Sequence, residues 1–465
     1  MKRIALILLM GFLWGCSASV VEVEEPVVVP PQVEAQDPEV EEREPSIQDD
    51  EMIMNETIEE EVDREEAIHE EVEEPVISVS LTSRTDLQPI DVCRVPSVGR
   101  GGGTTTGFPI PSKRIPSIGQ VRVQVFFIDF PDFAGTRSSE ELGAFFQNYI
   151  EGIDRYYRTQ SYGLLDFEWQ VHTEFIRMGF NFFDYNFSRG VYGQNNDIDF
   201  VFREAVSTSD AFIDYTDVEM IVIFLNPDIP EELADVSPAL LANEQCCPFV
   251  TSEGAINNGT FIAGDGVRIG WFTIAHEIGH LLGLDDLIDY NWRENSKSDD
   301  WYYQFVFVGG FDLMGAGPRY EWGNNTEFFG WHKFLFDWIT EEQVRCLDMN
   351  HSGVTYHAIT SNHEWSDQEK LVIVRLSQYQ ALVIEAKGNN EYCTSCQGGL
   401  YVTLIDGTKR SGYGSIQLLR PNHSTNQFFI DAFLIEDQQL QYENIVLSHL
   451  GEHLGQVILS VEVVS

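Results

Sequence analysis

His276, Glu277 and His280 are the residues of this chain best suited by type and spacing to do chemistry together. They stand in the run Phe-Thr-Ile-Ala-His-Glu-Ile-Gly-His-Leu-Leu-Gly-Leu-Asp-Asp over residues 272–286. Two histidines four positions apart lie one above the other on the same face of a helix, so both imidazoles reach one metal ion. Glu277 beside them is placed to take a proton from a water held there. Gly283 lets the backbone leave the helix sharply, through conformations closed to other residues, and Asp286 then arrives from the far side as a third ligand. Three protein ligands with a fourth position open is the layout of a catalytic zinc ion, not a structural one. Asp285 and Asp289 compete with Asp286 from the same loop; they are otherwise solvated or bind a structural Ca2+. Glu294 is the candidate if the third ligand comes from a later helix, a scheme against which Gly283 and Met314 argue. The plainer alternative is a core helix whose two histidines are satisfied internally. Residues 270–275 ahead of the motif are apolar and free of proline, so the helix is expected to be largely buried, where partnerless histidines are costly.

A second motif, Gly310-Phe311-Asp312-Leu313-Met314-Gly315-Ala316-Gly317, sets a methionine in a glycine-rich turn. The two motifs together resemble the metzincin zinc peptidases, in which such a turn forms a hydrophobic floor beneath the metal; Met314 is the matching residue. Asp286 stands where the common metzincin pattern has a third histidine, a departure that also characterises some families. More narrowly, His-Glu-x-Gly-His-x-Leu-Gly-Leu-x-Asp, then Asp-Leu-Met-Gly-x-Gly, then Gly330-Trp331-His332-Lys333 with Trp338 beyond, resembles the immune-inhibitor-A-like secreted metalloproteinases. The stretches 123–131 and 156–163 look like that family's first strand and first helix, so the resemblance covers residues 119–340. The family's usual Pro-Asp is Asp285-Asp286 here, and its following Tyr-Asp is Ile288-Asp289, which leaves the loop geometry open.

The resemblance implies a Zn2+-dependent endopeptidase in which the metal activates water and polarises the scissile carbonyl while Glu277 serves as general base. Its partner would be a protein or peptide substrate. Tyr320, after the methionine turn, is a candidate oxyanion donor, with local packing as its plainer role. Two other classes remain: a catalytically silent surface adhesin that keeps the peptidase fold, and a zinc hydrolase of non-peptide amides or esters.

The elements that must position these residues belong to a chain of 465 residues with 43% hydrophobic and 12% aromatic content, enough for a sizeable core and two or three domains. A net charge of −47 excludes nucleic acid as a partner, because phosphates would be repelled. Lys2 and Arg3 precede an apolar run, 4–14, that is too short to span a bilayer and ends at Gly15-Cys16. This resembles a bacterial lipoprotein signal, which implies lipidation at Cys16 and a membrane anchor at the cell surface or outer membrane. The alternative is an ordinary secretory signal and a secreted protein. Residues 17–80, rich in Glu, Val and Pro without a helical or strand period, read as an acidic disordered spacer.

Six cysteines remain besides Cys16: Cys93, Cys246, Cys247, Cys346, Cys393 and Cys396. An even number in an exported chain suggests disulfides. Cys393-x-x-Cys396 reads as a structural bridge in preference to a redox or zinc pair. Cys93 reads as a disulfide partner or, alternatively, as a thiolate that binds the zinc and keeps the enzyme latent until its segment is cut.

These readings divide the chain into a signal (1–16), the spacer (17–80), a pro or connecting segment (81–118), a metallopeptidase domain (119–345) and a β-rich domain (346–465), in a monomer. The fold class is α+β: a metzincin-like domain with a mixed sheet and active-site helix, then an all-β module expected to stabilise it. Residues 99–107 read as a flexible connector. A strand starts near Gln120, and a helix follows over 139–159, capped by Ser138 or Ser139 with Glu140 and Glu141 in its first turn. Strands are predicted at 218–225 and at 259–263, the latter as the edge along which an extended peptide lies. In the β module they are predicted at 370–376, 380–386, 400–405, 427–434 and 457–464.

Overall fold

The computed structural model describes residues 79–98, 103–187, 198–234, 237–241, 248–296, 301–315, 326–394, 396, 398–426 and 428–464. Along the chain, a single helical turn, α1 (Ile90–Cys93), precedes β1 (Gly119–Asp129), α2 (Ser139–Gln160), β2 (Leu165–Arg177), α3 (Ile198–Ser209) and β3 (Met220–Leu225). A short strand β4 (Ala239–Leu241) and a two-stranded hairpin, β5 (Phe249–Val250) and β6 (Ala255–Ile256), lead to β7 (Asn258–Ile262), α4 (Gly264–Ile269) and α5 (Trp271–Leu282). After α6 (Trp292–Ser296) and α7 (Gly330–Leu335) the chain is all strand: β8 (Val344–Asp348), β9 (Gly353–Ile359), β10 (Leu371–Arg375), β11 (Gln380–Lys387), β12 (Gly399–Asp406), β13 (Ile416–Leu418), β14 (Gln439–Tyr442), β15 (Ile445–His453) and β16 (Gln456–Val463). The architecture is α+β with a β-rich C-terminal region. Among the described residues no helix is long and apolar enough to cross a membrane.

The first sheet runs β2-β1-β3-β7-β4. Its β2, β1, β3 and β7 pair in parallel, and β4 closes the edge antiparallel to β7, so the sheet is mixed. Parallel neighbours need a crossover, and α2 supplies the one between β1 and β2. The helix starts where expected: the Ser138 hydroxyl accepts from the Glu141 N–H at 3.3 Å and the Glu141 carboxylate accepts from the Ser138 N–H at 2.7 Å. Such a capping box satisfies two otherwise orphaned donors, and an N-cap is worth about 1 kcal/mol. The expectation of an edge strand at 259–263 is corrected: β7 lies between β3 and β4, and the edge on that side of the sheet is β4.

Strand alternation sorts the core into layers. From β1, Phe126 and Ile128 face α3, whereas Val121, Val123, Val125 and Phe127 face α2 and α5. The second sheet, β13-β12-β11-β10-β8, divides the same way. Ile373, Val383 and Tyr401 share a core with α5 and α7, while Val372, Val374, Ile384 and Val402 pack on the third sheet, β14-β15-β16-β9. Polar groups cross the first of these seams too. The Gly330 N–H donates to Glu385 Oε2 at 2.8 Å, Lys333 Nζ to the Asn362 carbonyl at 2.7 Å, and Lys387 lies 3.3 Å from Glu327.

The predicted strand at 427–434 does not form over its described residues, 428–434. Phe429 takes φ 62°, a left-handed conformation no strand tolerates, the Ala432 N–H turns back to the Phe429 carbonyl, and Leu434 alone bridges to Leu400. The described part of the expected flexible connector is also ordered: Thr105 and Thr106 are buried, and Thr105 bridges to Leu284. The segment from α1 to β1 is tied to both halves of the fold. Cys93 is disulfide-bonded to Cys346 in β8, and the Trp331 and Trp338 indoles donate to the Thr106 and Ser117 carbonyls, each at 2.7 Å. Cys393 and Cys396 form the second bridge.

Candidate metal centre

The helix α5 carries His276, Glu277 and His280 and is buried along most of its length, as its apolar sequence requires. It ends at Gly283, whose φ of +113° is left-handed and whose N–H bonds the His280 carbonyl at 2.9 Å. An L-residue there is strained, so glycine is what allows the chain to fold back over its own helix end. That reversal brings Asp286 to the histidines.

Ligand atoms of His276, His280 and Asp286 lie within 4.8 Å of one another. His276 Nε2 is 3.1 Å from Asp286 Oδ1, and His280 Nε2 is 3.5 Å from Oδ2. Zinc–ligand bonds of 2.0–2.1 Å in a tetrahedral arrangement separate the ligand atoms by about 3.3 Å, so this donor set fits that ion. The outer nitrogens are engaged as well. His276 Nδ1 lies 3.0 Å from the Leu313 carbonyl and His280 Nδ1 2.8 Å from the Leu284 carbonyl. A carbonyl only accepts, so each Nδ1 carries a proton and each Nε2 turns inward, the arrangement by which protein metal sites fix the imidazole tautomer.

Electrostatics follow from the geometry. Burial alone would lower the His280 pKa, but the Asp286 carboxylate and its hydrogen bond outweigh this and raise it to about 10 in the metal-free protein. Burial likewise pushes the Asp286 carboxyl up, and the two imidazoles overcome this and hold it well below the usual carboxylate range. Glu277, 6% exposed, adds its charge to the field that raises His280. It therefore stands close to the cluster, next to His276 on the helix.

The competing carboxylates are turned elsewhere. Asp285 accepts a hydrogen bond from the Thr106 hydroxyl at 2.6 Å, and its burial raises its pKa. Asp289 caps its own loop, accepting from the Asn291 N–H at 2.8 Å and from Asn295 Nδ2 at 2.7 Å. Glu294 is exposed on α6. Of the four acidic candidates, Asp286 is the one brought to the two histidines.

Met314 sits in the short 3-10 turn Leu313–Gly315 and is fully buried against α5. A Cβ added to Gly279 would come 2.4 Å from its sulfur, so the glycine between the two histidines is what admits the thioether. The turn is also bonded to the site. The Leu313 carbonyl takes His276, and the Met314 carbonyl takes the Leu287 N–H at 2.9 Å. Asp312 organises it: Oδ1 accepts from the Met314 N–H at 2.9 Å, and Oδ2 accepts from the Phe329 N–H at 2.7 Å and from His332 Nδ1 at 2.8 Å.

Sequence reasoning assigned no role to Asp312 or His332, although both lie inside the motifs that carried the resemblance. It also missed Tyr290 and Ser411, which bond Asp286, and Thr106, which bonds Asp285. Tyr290 follows Asp286 by four residues in the same loop and carried a faint signal; Ser411, 125 residues away, carried none. Of the other expected residues, Cys93 is in the bridge to Cys346, the plainer of its two readings. Tyr320, Cys16, Cys246 and Cys247 lie outside the described residues. No protein-family model and no curated protein matches this chain.

Proposed function

We propose that the chain is a zinc-dependent endopeptidase of the metzincin type, exported and acting on proteins outside the cytoplasm. The observation that carries this reading is the convergence of His276 Nε2 and His280 Nε2 on the Asp286 carboxylate, with both Nδ1 atoms held by backbone carbonyls. Glu277 is the next residue on the same helix. Met314 beneath Gly279 supports the metzincin assignment, as does the mixed sheet with its short antiparallel edge strand packed near α5.

His276, His280 and Asp286 would hold a Zn2+ ion, which when bound would supply Lewis-acid chemistry at the scissile carbonyl and make water in the site more acidic. The Glu277 carboxylate takes the proton of the attacking water and delivers it to the leaving amine nitrogen, a service worth roughly 10²–10⁴-fold. Leu313 and Leu284 keep the imidazoles in the tautomer that presents Nε2. An extended peptide is expected to lie along β4, the edge strand.

Export rests on the N-terminal sequence, with Cys16 as the lipidated residue of a surface lipoprotein, and the net charge of −47 argues against nucleic-acid partners. Elemental analysis combined with digestion of an unstructured protein substrate tests the reading. One zinc per chain and proteolysis abolished by a chelator are expected. His276→Ala and His280→Ala should each lose the metal. Zinc without proteolysis would redirect the assignment to another hydrolase, and absence of zinc would end it.

A further inference from the structure

The loop joining β12 to β13 belongs to the β-rich C-terminal region, yet it reaches the third metal ligand. The Asp286 N–H donates to Ser411 Oγ at 2.8 Å, and the Gly412 N–H donates to the Asp286 carbonyl at 3.0 Å. The peptide of Asp286 is thus held on both sides by residues 411 and 412. Its carboxylate is held by a third contact, a short hydrogen bond from the Tyr290 hydroxyl to Oδ2, and that hydroxyl lies 3.4 Å from Ser411 Oγ. The Tyr290 N–H in turn donates to the Gly412 carbonyl at 3.1 Å. A Cβ on Gly412 would come 2.3 Å from the Tyr290 ring, so the loop and the tyrosine are in direct contact.

The loop is itself built firmly. Asp406 Oδ1 accepts from the Thr408 N–H at 2.9 Å and from its hydroxyl at 2.6 Å, and the Asp406 N–H donates to the Ser415 carbonyl at 2.8 Å. The Arg410 guanidinium stacks 4.0 Å over the Tyr413 ring, which faces Tyr290 at 6.2 Å. Ile416 and Leu418, at the loop's far end, belong to the same core as α5.

We infer that Ser411 and Tyr290 are positioning residues of the metal centre, and that the β-rich region completes the site by orienting Asp286. This rests on the reading of His276, His280 and Asp286 as zinc ligands. Groups that orient a ligand in this way cost about 10–100-fold in metal affinity when removed.

The test is zinc affinity by competition with a chromophoric chelator, together with the visible spectrum of the Co2+-substituted protein. The full chain is compared with Tyr290→Phe, Ser411→Ala and Ser411→Thr. Tyr290→Phe and Ser411→Ala each remove one hydroxyl oxygen, and both are expected to weaken zinc binding about 10–100-fold and change the Co2+ spectrum. Ser411→Thr keeps the acceptor and should retain affinity. If the wild type binds one zinc and both deletions bind within twofold with unchanged Co2+ spectra, this inference alone is overturned. If the wild type binds no zinc, the reading beneath it falls as well. A deletion variant that no longer melts cooperatively assigns its residue to the fold and counts against the proposal.

Discussion

The Leu313 carbonyl accepts a hydrogen bond from His276 Nδ1 at 3.0 Å, so the residue before the turn methionine fixes the orientation of a candidate metal ligand. The turn and the helix are thereby one mechanical unit: Leu313 holds His276, Met314 fills the space left by Gly279, and Asp312 holds the turn.

Gly279→Ala tests the packing half of that unit. Helix propensity alone would favour alanine by about 1 kcal/mol. The new methyl meets the buried Met314 sulfur, and overpacking of this kind costs about 1–3 kcal/mol. Net destabilisation in urea unfolding is expected, and it should shrink in a Met314→Ala background because the two residues share one space. Equal costs in both backgrounds would show that they do not.

Asp312→Ala tests the polar half. The carboxylate is fully buried and accepts from Met314, Phe329 and His332. Removing it leaves those donors buried and unpaired, which is expected to cost about 3–5 kcal/mol. An unfolding free energy within about 1 kcal/mol of wild type would contradict the role given to Asp312.

His357, 1% exposed on β9, predicts acid sensitivity away from the His276, His280 and Asp286 cluster. Burial, then the charges of Arg345 and His351, lowers its pKa to about 4 from 6.5. The unfolded chain therefore binds the proton more readily, and stability falls as pH drops from 6.5 towards 4, by about 2–3 kcal/mol. Urea midpoints at pH 7 and pH 4.5 should separate by less in His357→Gln than in wild type. Equal separations would remove the histidine as the cause.

The Cys93–Cys346 bridge closes a loop spanning 253 positions. Loss of a native disulfide typically costs about 2–5 kcal/mol, with long loops towards the upper end. Cys93→Ser should lower the urea midpoint accordingly. Alkylation of denatured, unreduced protein should leave Cys93 and Cys346 unlabelled. Labelling of Cys93 would instead revive its reading as a free latency thiol.

The sequence made the local parts of this site legible. The period of α5, the glycine that ends it and the methionine turn are short-range patterns, and the helix carrying His276, Glu277 and His280, its Gly283 terminus and the turn at Met314 are found at the expected positions. The choice among Asp285, Asp286 and Asp289 was not legible, since three carboxylates share one loop and only their partners separate them; Asp285 is turned away by Thr106, a residue 179 positions earlier. The edge strand was misplaced because β4 is three residues long, too short to leave an alternating pattern. The strand expected at 427–434 has suitable side chains, but Phe429 adopts φ 62° and the Asp431 carboxylate caps 425 and 426, which together fold that stretch into turns. The contact of Ser411 with Asp286 depends on how the second sheet packs against α5, which no local pattern encodes.

The central claim is tested most directly by Glu277→Gln, assayed for zinc content and for casein hydrolysis beside the wild type. Retention of one zinc per chain with hydrolysis reduced roughly 10²–10⁴-fold is the expected result, since the variant keeps the three ligands and loses the proton carrier. A Glu277→Gln protein that cleaves casein at the wild-type rate would contradict the account.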